Sequence, residues 1–292
     1  MAATVIDGRA VAASVRERVR GEVEELTAEI GRPPGLATVL VGDDPASAIY
    51  VRRKHEAAEE AGIRNFDHTP DGSISQEDLL DLVTELNDND GVDGILVQLP
   101  LPDHLDQGPV IAALDPGKDV DGLTPTSAGL LARGEPGLVP ATPRGVMELI
   151  GSVEVDPAGK DAVIVGRSNL VGRPLFSLLL GANATVTVCH SRTRDLGEVC
   201  RRAEILVAAA GQPELVTGDM VRPGATVIDV GTNRTDDGLV GDVDFEAARE
   251  VAGAITPVPG GVGPMTIAML LSNTVQAARA RAHAAFYMRP RR

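Results

Sequence analysis

Cysteine is nearly absent: Cys189 and Cys200 are the only two in 292 residues. Two thiols cannot build a disulfide framework or a four-ligand zinc site, and their scarcity points to a reducing cytoplasm. Positive charge is scarce as well, with 27 Lys and Arg against 42 Asp and Glu and a net charge of −15. Nucleic acid and anionic membranes both demand a basic face, so neither is expected as a partner. No uninterrupted apolar stretch is long enough to cross a bilayer, and Asp7 and Arg9 break the mildly apolar opening, so neither a membrane span nor a signal peptide is expected. His55, His68, His104, His190 and His283 lack metal-ligand spacing, so no metal site is expected.

Aromatic residues make up 2% of the chain, and Lys54, Lys118 and Lys160 are its only lysines. With the acidic excess, this describes a protein kept soluble by carboxylates, as in the high-salt cytoplasm of a halophile. Salt shortens the range of carboxylate repulsion, from about 10 Å at 0.1 M to about 3 Å at 1 M. The melting temperature should therefore rise between 0.1 M and 2 M KCl. A flat or falling value would count against the high-salt habitat.

What is present has the length of two α/β domains, each able to bury a core. Val11, Val15, Val19, Val23, Leu26 and Ile30 form a helical stripe over residues 8 to 30. Apolar runs at Ala37 to Val41, Ile63 to Phe66 and Gly94 to Val97 then alternate with helix-like segments at 46 to 61 and 75 to 87. Asp44 and Pro45 read as the N-cap and first-turn proline of the second helix. Inside that helix Tyr50 and Lys54 lie four residues apart, so an aromatic platform and an amine share one face. A lysine retained beside Arg52 and Arg53 is suited to proton chemistry, because Arg cannot change protonation state.

Residues 98 to 143 are rich in proline and read as loops that connect or line a site. The domain boundary is expected near 140. Residues 1–140 form an α/β substrate domain, residues 141–264 a Rossmann-like domain, and a helix over about 265–285 packs back on the first. In the second part Ala162 to Val165 is a buried strand and Gly172 opens a helix. The turn between them, Gly166-Arg-Ser-Asn-Leu-Val-Gly-Arg-Pro, lets backbone approach a phosphate at a helix N-terminus. Its spacing departs from G-x-G-x-x-G, so a tight structural turn is the alternative. The next strand, Ala184 to Cys189, ends in His190-Ser191-Arg192-Thr193 with no acid for a ribose 2′-hydroxyl. Hydroxyl and guanidinium groups suit a 2′-phosphate, which favours NADP, although a strand-end Arg is often merely solvated. Strands at Glu204 to Ala209 and Ala225 to Val230 also end in small residues, and Thr232 stands where the nicotinamide end would lie. Gln98, at a strand's carboxyl end, offers an amide to a lysine amine or a substrate carbonyl. Asp119 and Asp121 sit in an irregular loop, where a turn-forming role is the plainer reading.

Together the blocks Val41-Gly-Asp-Asp-Pro-Ala-Ser, Tyr50-x-x-x-Lys54, Val97-Gln-Leu-Pro-Leu-Pro, Lys118-Asp-Val-Asp-Gly, Gly166-Arg-Ser-x-x-Val-Gly-Arg-Pro, Val188-Cys-His-Ser-Arg-Thr, Gly241-Asp-Val-Asp-Phe and Pro257-Val-Pro-Gly-Gly-Val-Gly-Pro-Met-Thr closely resemble the bifunctional methylenetetrahydrofolate dehydrogenase/methenyltetrahydrofolate cyclohydrolase family. The resemblance spans nearly the whole chain. It implies a homodimeric, NADP-dependent enzyme of one-carbon metabolism acting on tetrahydrofolate derivatives. It further implies that Tyr50 stacks on the folate, Lys54 is the general acid/base of hydrolysis, Gln98 orients Lys54, and Asp121 holds the pterin. Pro259, Gly260 and Gly261 would approach the folate with their backbone. Gly166, Arg167, Ser168, Ser191 and Thr232 match NADP contacts, with Arg192 beside them.

The chain departs from the family's pattern at Ala141, where Cys is frequent, and at Leu123, Thr124 and Ser127, which are expected on the substrate-side wall. A shikimate-dehydrogenase-like enzyme is the alternative, opposed by Tyr50-x-x-x-Lys54 and the Gly260 loop. A short-chain dehydrogenase would carry its Tyr-x-x-x-Lys after the nucleotide motif. A non-catalytic NADP- or folate-binding regulator would be expected to lose Lys54.

Overall fold

The computed structural model describes residues 3–236 and 238–288. The chain opens with a short strand, β1 (Thr4–Val5), and the helix α1 (Gly8–Ile30), whose Val15, Val19, Val23 and Leu26 are buried as their spacing predicts. Three strand–helix repeats follow: β2 (Gly35–Val39) with α2 (Pro45–Glu60), β3 (Arg64–His68) with α3 (Gln76–Asp88), and β4 (Gly94–Val97) with α4 (Gln107–Ala113). After α5 (Pro125–Arg133) and α6 (Ala141–Ser152) a second series begins with β5 (Asp161–Val165), α7 (Gly172–Gly181), β6 (Thr185–Cys189), α8 (Leu196–Cys200), β7 (Ile205–Ala208) and β8 (Thr226–Asp229). The hairpin β9 (Asn233–Thr235) and β10 (Gly238–Val240), then α9 (Phe245–Arg249), β11 (Ala254–Ile255) and α10 (Val262–Met288), complete the described chain.

Two compact units result. One comprises Ser14–Val139 and the stretch beginning at Leu270, around a parallel sheet in the order β3-β2-β4. β2 is central and buried at all five residues, so it is apolar on both faces, with Thr38 as its one polar side chain. β3 runs two residues past the expected Phe66. As an edge strand it has a wet side that tolerates Asp67 and His68, and His55 of α2 meets Asp67 at 2.8 Å. The buried Lys118 donates from Nζ to the carbonyls of Leu86, Asn87 and Asn89, at 3.0, 2.6 and 2.8 Å. It thereby serves carbonyls that the end of α3 leaves without helical partners. Burial, assisted by the charge of Arg281, pulls its pKa down to about 8. From α10, Asn273 donates to the carbonyls of Val120 and Val139, at 2.7 and 2.8 Å, so this part of the last helix packs on the loop after Lys118.

The other unit comprises the stretch ending at Ala13 and Pro140–Met269, around a six-stranded sheet in the order β1-β11-β8-β7-β5-β6. All its neighbours are parallel. The start of the chain thus enters this sheet, whereas the sequence reading placed residues 1–140 in the first domain. Thr4 and Val5 pair with Ala254 and Ile255, a match that periodicity cannot show for two-residue strands. Val163, Val165, Leu206, Ala208 and Val227 supply its core. Among the described residues no helix is long and apolar enough to cross a membrane.

Candidate functional site

Asp44 caps α2 as expected, its side chain accepting from the Ser47 N–H at 2.8 Å, with Pro45 in the first turn. That anchors the helix carrying Tyr50 and Lys54. Tyr50 is 50% exposed, so its ring is presented rather than packed. Lys54 is half-buried and donates from Nζ to Gln98 Oε1 at 3.0 Å. The Gln98 N–H extends the sheet by donating to the Val39 carbonyl at 2.9 Å, and Nε2 donates to the Leu99 carbonyl at 2.7 Å. With its nitrogen turned to that carbonyl, the amide presents its oxygen to the lysine.

Burial holds the Lys54 amine below the usual lysine range, opposed by the negative charge of Asp121. Desolvation of the ammonium is the larger of the two effects. Burial likewise raises the pKa of Asp121, opposed by Lys54 and reinforced by Asp119. Lys54, Gln98 and Asp121 are therefore brought together within one unit. Asp119 is the turn former of the pair. Its carboxylate accepts from the N–H groups of Leu123 and Thr124, at 3.0 and 2.8 Å, and from Ser127 Oγ at 2.7 Å.

Thr124 and Ser127, expected on a substrate-side wall, are buried in this network. Thr124 caps α5, accepting from the Ser127 N–H at 3.1 Å, and its hydroxyl donates to Ser127 Oγ at 2.9 Å. The two departures from the family's pattern thus hold Asp119 and, through it, the loop of Asp121.

In the other unit, β5 ends at Gly166, whose φ is 131°. A Cβ at Gly166 would strike the Ala209 carbonyl, and one at Gly172 would strike the Gly166 carbonyl. Both glycines are required by backbone packing, whatever they bind. Arg167 and Ser168 are exposed on the turn, and the Ser168 hydroxyl accepts from the Val171 N–H at 3.1 Å. α7 then begins with no side-chain cap; its Arg173 N–H donates to the Ser168 carbonyl at 3.1 Å and Pro174 carries no N–H, so the turn itself closes the start of the helix. At the end of β6, Ser191 and Arg192 are exposed. Their turn is closed by the Arg192 N–H donating to His190 Nδ1 at 3.1 Å and the His190 N–H donating to Thr193 Oγ1 at 2.9 Å. Thr232 is exposed after β8.

Pro259 and Gly260 are accessible on the loop before α10, and Gly260 has a φ of 111°. Gly261 is buried against the Pro257 carbonyl, so its own side chain is excluded by packing. Among the described residues no group of three His, Cys, Asp or Glu gathers in a way that could hold a metal ion.

Family models match both parts of the chain: "Tetrahydrofolate dehydrogenase/cyclohydrolase, catalytic domain" over residues 6–121, and the NAD(P)-binding domain of the same family over 140–282. The chain is 58% identical over 280 residues to bifunctional protein FolD 2 of Frankia casuarinae, covering 96% of this chain and 97% of that one. Its structure is similar to the bifunctional FolD methylenetetrahydrofolate dehydrogenase/cyclohydrolase of Campylobacter jejuni, with a TM-score of 0.93, 48% identity, and 96% and 100% of the two chains covered. The Trypanosoma brucei N5,N10-methylenetetrahydrofolate dehydrogenase-cyclohydrolase, solved with NADP and an inhibitor, gives a TM-score of 0.91 and 42% identity over 97% and 99%. Shikimate 5-dehydrogenase of Thermus thermophilus, at 16% identity and a TM-score of 0.51, shares the fold alone.

Proposed function

Because the chain belongs to the tetrahydrofolate dehydrogenase/cyclohydrolase family, we propose that one unit binds the cofactor while the other holds the proton-transfer group. The enzyme oxidises 5,10-methylenetetrahydrofolate to 5,10-methenyltetrahydrofolate with NADP and hydrolyses that cation to 10-formyltetrahydrofolate. The observation that carries the hydrolytic assignment is the bond from Lys54 Nζ to Gln98 Oε1, 3.0 Å long, on an amine that burial has made easier to deprotonate.

The exposed ring of Tyr50 gives the planar folate a stacking surface, and Asp121 accepts paired N–H donors of the pterin. Water adds its oxygen to the methenyl carbon, and Lys54 takes the proton released. As the bond from that carbon to ring nitrogen N5 breaks, a proton returns to N5 and the hydroxyl becomes the formyl carbonyl. One proton leaves to solvent for each water added. Gln98 keeps the amine aimed throughout.

NADP, when bound, accepts the hydride from the methylene carbon. The residues present fit it. The glycine-lined turn from Gly166 to Gly172 lets the diphosphate approach the backbone, with the exposed Arg167 and Ser168 beside it. Ser191 and Arg192 replace the acid that an NAD-specific strand end would present. Ser191→Ala and Arg192→Ala should each raise the Michaelis constant for NADP more than that for NAD. Equal rises with both cofactors would assign these side chains to the fold alone.

We further propose a homodimer in a reducing cytoplasm. Leu170 in the turn before α7, and Phe176 and Leu180 on it, are exposed at 49%, 37% and 54%, apolar side chains that a second copy would cover. Cys189 and Cys200 are buried free thiols, as a reducing compartment allows. Sedimentation equilibrium that gave only the monomer mass would exclude the dimer. The function is tested by supplying the protein with methylenetetrahydrofolate and NADP, then with shikimate and NADP, and following NADPH and formyl-folate. Both products should form in the first mixture and none in the second.

A further inference from the structure

Asp242, from the block Gly241-Asp-Val-Asp-Phe, has no part in the chemistry described so far. Its side chain is fully buried, and its carboxylate is saturated with donors. Oδ2 accepts from the N–H groups of Ala210 and Gly211, at 2.5 and 2.8 Å. Oδ1 accepts from the Gln212 N–H and from Asn233 Nδ2, both at 2.9 Å. Three successive N–H groups of the segment after β7 thus converge on one carboxylate. The fourth donor is the residue directly after Thr232.

A second buried carboxylate holds this one in place. Asp229, the last residue of β8, accepts from the N–H groups of Gly231 and Asp242 through Oδ1 and of Val243 through Oδ2, all at 2.9 Å. A Cβ at Gly231 would strike the Asp242 carboxylate, and one at Gly241 would strike that of Asp229. The two glycines make room for the two acids. Burial pushes the Asp229 carboxyl up to about 6 against the pull of its N–H donors, and the Asp242 charge acts in the same direction as burial. An apolar filling would cost the fold less. Such a costly arrangement is expected where loop geometry matters more than stability.

The segments tied together leave neighbouring strands, since Ala208 of β7 pairs with Asp229 of β8. They stand at the carboxyl ends of a parallel sheet, where a dinucleotide lies. We infer that Asp242 is a positioning residue for NADP: its carboxylate fixes Ala210–Gln212 and Asn233 as one edge of the cofactor site, with Thr232 held between. The inference rests on the cofactor reading above and adds to it the group that shapes the site without touching the ligand.

Asp242→Asn is the sharpest test, because the new amide must point a donor at N–H groups whichever way it flips. NADP titration calorimetry should show a dissociation constant raised at least tenfold. The ratio of NADP-dependent oxidation to cofactor-free hydrolysis should fall by a similar factor. Asn233→Ala, which removes one donor from outside, should weaken NADP at least threefold and decides the matter if Asp242→Asn is insoluble. NADP bound within twofold of wild type by the soluble variant would overturn the inference. So would an equal loss of both activities, which marks a purely structural residue. Wild-type protein titrated alongside separates the two ideas, since no NADP binding there would overturn the cofactor reading itself.

Discussion

Replacing Lys54 with glutamine or methionine should cut the hydrolytic rate by ~10²–10⁴-fold, the usual contribution of a general acid/base. Neither side chain can take the proton from the attacking water, and Gln98 would face no ammonium. The oxidation should lose far less, since hydride transfer depends chiefly on alignment of the reacting carbons. The pH profile carries the same signature. Burial lowers the Lys54 pKa, so the neutral amine that accepts a proton becomes abundant at a lower pH than for a free lysine. The wild-type hydrolytic rate should therefore rise with pH through an ionisation below 10.5, and that rise should vanish in the variants. Full hydrolysis by either variant would sink the assignment.

Gly166→Ala should be nearly as damaging, by a different route. The residue holds a φ of 131°, and a methyl group there meets the Ala209 carbonyl, which belongs to backbone and cannot rotate away. Strain at such a φ costs about 1–3 kcal/mol. Overpacking adds about 1–3 kcal/mol more. Both fall where β5 hands the chain to the nucleotide turn. A melting temperature lower by roughly 5 °C or more is expected, at roughly 2–4 °C per kcal/mol for a unit of this size. The thermal stabilisation that saturating NADP gives the wild type should disappear as well. A variant that melts and responds to NADP like the wild type would show that the turn relaxes freely.

The helix of Tyr50 and Lys54 is legible because a cap, a first-turn proline and a charged face coincide at Asp44-Pro45. The same signal stands at Thr124-Pro125, inside a stretch read as loop, and α5 begins there. Proline density hid it. β5, β7 and β8 are legible as largely apolar runs because strands buried on both faces need little else, whereas the edge strand β6 alternates as Thr-Val-Thr-Val-Cys. β1 and β11 are two residues long and leave no periodic trace. At the site, Lys54 and Gln98 could be singled out by residue type. The turn-forming role of Asp119 was legible too, because its donors lie within the next eight residues; the roles of Lys118 and Asp242 could not be read, because each is defined by backbone N–H or carbonyl groups that converge on it from distant segments. The pairing of Gly241 with the acid beside it was the one trace of Asp242 in the sequence.

Thr4 of β1 pairs with Ala254 of β11, about 250 residues further along the chain. On a ribosome adding about 5–20 residues per second, β1 waits some ten to fifty seconds for its neighbour to be made. The sheet therefore cannot close its β1 edge during most of synthesis. Closure must follow the emergence of β11, so the strand of this sheet that is made first is the last to find its partner.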